Sequence, residues 1–486
     1  MVRIGKMITL FISFLIFSAS VRAFETQSET VNEFYAAYPN QLVWFENEKL
    51  TMEGMVLSQL LADFGLESYH RQTSNSLSFR DKNYTQGLFV LLEKISISQS
   101  KDMISLYHSF SNAVTSNNLS SFLESIIPPY NEFHQLRVMI RVYKSNSLVP
   151  WPKSKSQTFK LGQRSEDITQ LRRVLIALGD LPAKKVSDYR ASIYDPDIKI
   201  GLKSFQKRHG ISQSGALDEK TALALNISPN QRIEQMQINL WRWLRLPAEL
   251  PDRYVWINIP SYRLNLLEFG DSVLQMKVIV GKPSTPTPIL FTELTQMTIN
   301  PSWTPPHSIV FNELLPLDSK SPGYLSSQDF ELRKGRGTST EVIDINKVES
   351  HRLATMLAEF RLVQAPGRKN ALGKYRFSIP NNRAIFLHDT PAKKLFGRNE
   401  RAISHGCVRL GAPERLAKYL MSADSRRLEL ERAVRSNETN YFNLVKPIPV
   451  FVTYYTSWVD GLGVLQVRDD IYGLDQDGSE HENRRL

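Results

Sequence analysis

The sequence predicts a multidomain α+β protein, and three observations carry that prediction. Apolar residues recur at helical spacing through roughly the first 250 positions. From Pro251 onward the chain breaks into short β-rich runs bounded by Gly, Pro or Asn. Its 486 residues suffice for two to four domains, each with its own core. No internal repeat or low-complexity run disturbs this division.

Residues 1–23 have the order of a secretory signal peptide. "MVRIGKM" is cationic, "ITLFISFLIFSAS" is a short apolar run, and "VRA" offers small residues for cleavage after Ala23. The run is short for a membrane span; an uncleaved anchor is the alternative. The formal charge is +11, and Arg3, Lys6 and Arg22 of this leader account for three of it, leaving +8. A basic exported chain suits an anionic surface such as cell wall or lipid, although a soluble basic surface explains the charge equally well. The cations are scattered and no nucleic-acid motif stands out, so no nucleic-acid partner is expected.

Residues 24–160 read as a helical scaffold. In "FHQLRVMIRVY", Phe133, Leu136, Ile140 and Tyr143 fall on one face of an amphipathic helix. "VPWPKSKSQ", 149–157, reads as a linker. Residues 161–228 then give three short helices. The first carries Ile168, Leu171, Leu175 and Leu178 with Gly179 as its stop, and the third begins near Asp218. The residues "LRRVLIALG", "IKIGLKSFQKRHGISQSGALDEKTALALN" resemble the peptidoglycan-binding type 1 domain. One departure is "SG" (Ser214-Gly215) where "DG" is usual, which bears on ligand binding more than on fold. "NQRIEQMQINLWRWL", within 229–250, is a helix whose Trp241 and Trp243 face different neighbours; sugar stacking by one of them is an alternative to core packing.

Residues 251–460 form the mainly β domain. Leu274, Met276 and Val278 alternate with Gln275 and Lys277, giving one buried and one wet face. An insertion at about 311–365, loops with the helix "SHRLATMLAEFRLV", has the place of a lid or binding loop. Residues 461–486 are a C-terminal extension.

The chemistry concentrates in "RAISHGCVRL", 401–410, which holds the chain's single cysteine. One thiol cannot form an internal disulfide; it is a buried bystander, an intermolecular partner or a reactive group. A thiol reacts as thiolate, and a nearby histidine can take its proton. Two histidines compete. His405 would share a face with Cys407 in an extended chain, and His388 in "AIFLHDT" ends a predicted strand. Gly406 permits a sharp turn that exposes backbone N–H groups beside the sulfur. Arg409 shares the face of Cys407 and can stabilise a thiolate or hold a substrate carboxylate. A zinc site built from Cys407, His405 and His388 is the rival chemistry, but there is no second cysteine and no "HExxH".

The pattern from His388 through fifteen residues to Ser404-His405-Gly406-Cys407 resembles the hallmark of the L,D-transpeptidases with a YkuD-type catalytic domain. "VIVGKPSTPTP", "TINPSWTPPHSI" and "RLVQAPGRKNALGKYRFSIPNNRAIFLHDTPAKKLF" agree, and with the insertion and the upstream domain they look like the large, lidded YcbB-like subgroup. The resemblance implies Cys407 as nucleophile, His388 as general base oriented by the backbone near Asp389, and an oxyanion hole from His405, Gly406 and Cys407. Ser404 would shape the loop, while Trp303 and Arg409 would position the stem peptide; Phe386 and Asp389 complete the expected substrate surroundings. Phe386 stands where relatives often carry tyrosine, so a substrate hydroxyl contact is lost or only packing changes.

The same resemblance implies a periplasmic enzyme of peptidoglycan. It would need no cofactor or metal, and would act on stem peptides and glycan, with transient contacts to wall-synthesis enzymes and carbapenems as covalent inhibitors. Passing the same acyl group to a protein lysine or to water is an alternative. So is a non-catalytic wall-binding protein.

Overall fold

The computed structural model describes residues 29–38, 41–69, 76–145, 150–183, 188–335, 341–348, 350–422 and 426–476. The expected signal peptide, 1–23, lies outside the described residues, as does the end of the C-terminal extension. The chain forms two compact units. One comprises the residues up to Leu250 together with Thr456–Val467, the other Pro251–Tyr455 with Arg468–Gln476.

The first unit is helical. Helices α1 (Met52–Asp63), α2 (Leu77–Gln99) and α3 (Met103–Thr115) start at Thr51, Ser76 and Asp102, whose side chains accept first-turn N–H groups. Helix α4 (Asn131–Ser145) buries Phe133, Leu136, Ile140 and Tyr143, the face its spacing predicts. The three-helix segment follows as α5 (Glu166–Ala177), α6 (Pro196–Arg208) and α7 (Glu219–Leu225), capped by Ser165, Asp195 and Asp218. Ile168, Leu171, Leu175, Leu202, Phe205 and Leu225 meet in their own core, with Leu178 packed at its border.

The "FQ" and "SG" signatures of that segment explain each other. Gln206 is wholly buried and accepts from Gly215 N at 2.8 Å, while its amide donates to Ala216 O at 2.9 Å. Ser214 Oγ accepts from Ala216 N at 3.1 Å, so the turn keeps a side-chain cap without the usual aspartate. Helix α8 (Pro229–Trp243) carries a capping box and packs along α4. Trp241 lies 4.4 Å from Phe64 and Trp243 5.6 Å from Tyr130, ring to ring, so the two indoles pack on different partners as predicted.

The second unit is the β domain. Its strands are β1 (Arg253–Asn258), β2 (Arg263–Glu268), β3 (Asp271–Gly281) and β4 (Leu290–Ile299), then β5 (Phe330–Lys334), β6 (Glu341–Ile343) and β7 (Arg361–Gln364) in the insertion. After these come β8 (Tyr375–Ser378), β9 (Leu387–His388), β10 (Ala402–Ser404), β11 (Val408–Leu410) and β12 (Asn440–Thr453). Nine of them form one sheet in the order β10-β3-β11-β9-β8-β4-β12-β1-β2, and β2 pairs back onto β3. Eight strands thus close into a ring with no open edge between them. Val255, Leu266, Val278, Phe377, Leu387 and Val408 are among the residues that meet in its common core. The alternation at Leu274, Met276 and Val278 falls on that face, with Gln275 and Lys277 exposed.

The insertion differs from its expected form. Its neck is the antiparallel bridge between Trp303 and Gln364, with N···O distances of 3.0 and 2.7 Å. Between these, β6-β5-β7 make a separate sheet, and Val310, Leu325, Phe330, Leu332 and Leu362 form a separate core. "SHRLATMLAEFRLV" is α-helical only over Ser350–Met356; Arg361–Gln364 pairs with β5 instead, because Leu362 is buried in that core. Among the described residues no helix is long and apolar enough to cross a membrane.

Candidate active site

Register across the ring assembles the site. Strands β9 and β11 run parallel, pairing Leu387 with Val408 and His388 with Arg409. Val408 N donates to Phe386 O at 3.2 Å, which places Cys407 beside Phe386, one step before β11. Because Leu387 and Val408 point into the core, Phe386, His388, Cys407 and Arg409 take the opposite face. Strand β8 pairs Arg376 with His388 and so adds a second guanidinium to that face.

The Ser404–Cys407 loop is held from several sides. Ser404 is buried; its hydroxyl donates to Cys407 O at 2.7 Å and accepts from Gly406 N at 3.2 Å. Gly406 has φ +112°, a region closed to most L-residues, so the chain bends instead of continuing extended. The expectation that His405 and Cys407 share a face fails for this reason. His405 instead meets Glu313 of the insertion, Nε2 to Oε1 2.5 Å. Thr287 braces the loop from beneath: its hydroxyl donates to Gly406 O at 2.7 Å and accepts from Gly281 N at 2.8 Å. A Cβ at Gly281 would stand 2.2 Å from Thr285 O, so only glycine lets this brace approach.

Cys407 is partly exposed, and its thiol lies 3.9 Å from Ala384 O. Ala384 has φ +54°, held by Asn381, whose side chain accepts from Ile385 N at 3.1 Å and donates to Ile385 O at 2.7 Å. Burial pushes the thiol pKa up, while the Phe386 backbone, Arg376 and Arg409 pull it down less strongly. His388 is buried, and desolvation, with Arg409 next, lowers its pKa to about 3. The imidazole is therefore neutral near pH 7 and able to accept a proton. The resting pair is thiol and imidazole, both uncharged.

The other expected residues divide. Phe386 stacks edge-on with His388 at 5.6 Å and lies under the Arg376 guanidinium at 4.6 Å. Asp389 is occupied locally, accepting from Thr390 N at 2.7 Å and Lys374 N at 2.9 Å and pairing with Lys393. Trp303 sits at the neck of the insertion with its ring 6.1 Å from Phe330. Arg376, Thr287, Asn381 and Glu313 are site residues that sequence reasoning does not single out. Thr287 and Arg376 do lie in the stretches "VIVGKPSTPTP" and "GKYRFSIPNN" that carry the resemblance. Among the described residues no three His, Cys, Asp or Glu side chains are grouped to hold a metal ion.

Residues 252–434, which include this whole constellation, match the family model of the YkuD L,D-transpeptidase catalytic domain. The β unit is thus similar to a YkuD catalytic domain. Residues 164–225, the α5–α7 segment, match a family model described as "Putative peptidoglycan binding domain". A Haemophilus influenzae protein named "Putative L,D-transpeptidase" is 33% identical over 230 residues, which span 47% of this chain and 46% of that protein. The match thus covers about half the length of each. Among solved structures, an L,D-transpeptidase from Mycobacterium smegmatis is similar at 12% identity and TM-score 0.21, over 41% of this chain and 58% of the other. The LD transpeptidase LdtMt1, solved in complex with imipenem, is similar at 13% identity and TM-score 0.20, over 42% and 59%. At these scores the fold of residues 252–434 rests on the strand order and register described above.

Proposed function

We propose that this protein is a peptidoglycan L,D-transpeptidase working through a Cys407 acyl-enzyme and forming 3→3 cross-links in the periplasm. The observation that carries the reading is the shared sheet face of Cys407 and His388, with His388 buried and neutral. The upstream peptidoglycan binding domain supports the substrate class.

In the proposed reaction the Cys407 sulfur attacks the carbonyl of the third residue of a tetrapeptide stem, and its proton passes to His388. The oxyanion takes backbone N–H groups of the loop. That of Gly406 is engaged with Ser404 Oγ, so those of His405 and Cys407 are the available donors. The C–N bond breaks, His388 returns the proton to the leaving amine, and D-Ala departs. The thioester conserves the energy of the broken bond, which suits a compartment without ATP. A side-chain amine of a second stem, diaminopimelate in this reading, attacks the thioester and yields its proton to His388. The C–S bond breaks, and the departing Cys407 sulfur takes that proton, restoring thiol and neutral imidazole. Water competes, and the insertion that reaches His405 through Glu313 would limit its access. A carbapenem offers a strained acyl group to the same thiol.

Incubation of the protein with disaccharide-tetrapeptide, read by mass spectrometry, should give 3→3 dimers that are absent with Cys407→Ala. Exposure to imipenem should add the drug's mass at Cys407. Loss of D-Ala without dimers would move the acceptor to water, and no Cys407-dependent product of either kind would end the reading.

A further inference from the structure

Four buried side-chain atoms of the β unit lack a hydrogen-bond partner among the described residues: Thr298 Oγ1, Arg376 Nε, His388 Nδ1 and Arg409 Nε. They belong to residues in one row across the sheet. Backbone pairing fixes that row: Arg409 opposes His388, His388 opposes Arg376, and Arg376 opposes Thr298. Folded proteins leave few buried polar atoms unpaired, so four adjacent ones mark a place that a ligand completes.

The chemistry of the row selects an anion. Arg376 and Arg409 have no carboxylate partner among the described residues, and His388 between them is neutral. Two like charges on one half-buried face repel unless a counter-charge arrives. Two strand spacings put the arginine backbones about 10 Å apart, a gap two long side chains can close on a single carboxylate. Guanidinium forks match that planar group. The Arg376 guanidinium lies over the Phe386 ring, which fixes its plane without using its N–H donors.

We propose that Arg376 and Arg409 together clamp the free C-terminal carboxylate of the acyl donor, so that the site selects stems ending one residue beyond the carbonyl attacked by Cys407. The proposal rests on the acyl-transfer reading for the identity of the donor. Arg409 lies two residues, about 7 Å, along the same face from Cys407. A terminal carboxylate lies about one residue, roughly 3.5 Å, beyond the reacting carbonyl, within reach of the row. A stem with one more residue carries an amide there, and would leave two half-buried cations unpaired.

The test compares L-Ala-γ-D-Glu-meso-diaminopimelate-D-Ala as free acid and as C-terminal amide. Binding is measured by calorimetry on Cys407→Ala protein, which cannot turn over. The acid should bind at least about tenfold tighter, the difference should collapse in the added Arg376→Gln variant, and Arg376→Lys should recover part of it. With the otherwise unaltered protein, Arg376→Gln should raise KM for the acid alone. Equal affinity for acid and amide, or a preference that survives Arg376→Gln, would overturn the clamp. The acid–amide comparison needs no arginine variant, so misfolding of Arg376→Gln leaves the proposal open to refutation. Release of D-Ala reports on the reaction separately. Release without acid preference removes the clamp and keeps acyl transfer; acid preference without release does the reverse.

Discussion

Cys407 and His388 show how opposing environmental effects set the resting state of a thiol and an imidazole. Burial disfavours charge on both, raising the thiol and lowering the imidazole, while Arg376 and Arg409 favour thiolate and disfavour imidazolium. Burial dominates on each, so the pair rests uncharged, and in the proposed reaction the proton moves as a carbonyl reaches the sulfur. Alkylation of Cys407 by iodoacetamide should therefore keep accelerating with pH above the ordinary thiol range near about 8.5, without an earlier plateau. Arg409→Gln should shift that profile further upward, because a cation that favours the thiolate is gone. His388→Gln should leave it nearly unchanged, since a neutral ring contributes no charge, yet reduce acyl transfer by about 10²–10⁴. A plateau well below the ordinary thiol range would instead reveal a thiolate–imidazolium pair. Cys407, Arg409 and the competing histidines are legible in the sequence because a lone thiol in His-Gly-Cys-x-Arg has few structural explanations. Arg376 is not, because a charged residue between Tyr375 and Phe377 reads as the solvent side of a strand. Only register with His388 shows what that side faces.

Short elements carry the positioning. Strand β9 contains two residues and β11 three, and neither has a periodicity from which a sequence could set its neighbours. Longer elements are easier to read: α4 and β3 show their buried faces directly. The insertion departs from its expected form because a run such as "FRLV" fits a helix end or a strand, and only its pairing with β5 decides. Thr287 is the test of whether the loop's support matters. Thr287→Val removes a hydroxyl that joins Gly406 O to Gly281 N and leaves both buried groups unpaired. A loss of about 1–3 kcal/mol in denaturant unfolding is expected, with a slower Cys407 acylation that Thr287→Ser restores. Unchanged stability and acylation would mean that Ser404 alone sets the loop.

The whole molecule joins a helical unit to a β unit by a chain that crosses between them more than once, at 250/251, 455/456 and 467/468. That division is visible in the sequence as a change of period near Pro251, whereas the return of residues 456–467 to the helical unit leaves no mark in composition. The last described stretch still serves the site: Tyr472 donates to Gly281 O at 2.7 Å and accepts from Thr287 N at 3.2 Å, bracing the same loop. The proposed reaction turns on one event, the carriage of a peptidoglycan stem on Cys407. The direct measurement is mass spectrometry of protein quenched during turnover on disaccharide-tetrapeptide. The expected species is an adduct equal to the donor without D-Ala, mapped to the peptide containing Cys407 and lost with Cys407→Ala. D-Ala release that continues undiminished in Cys407→Ala, or an adduct on another residue, would contradict it.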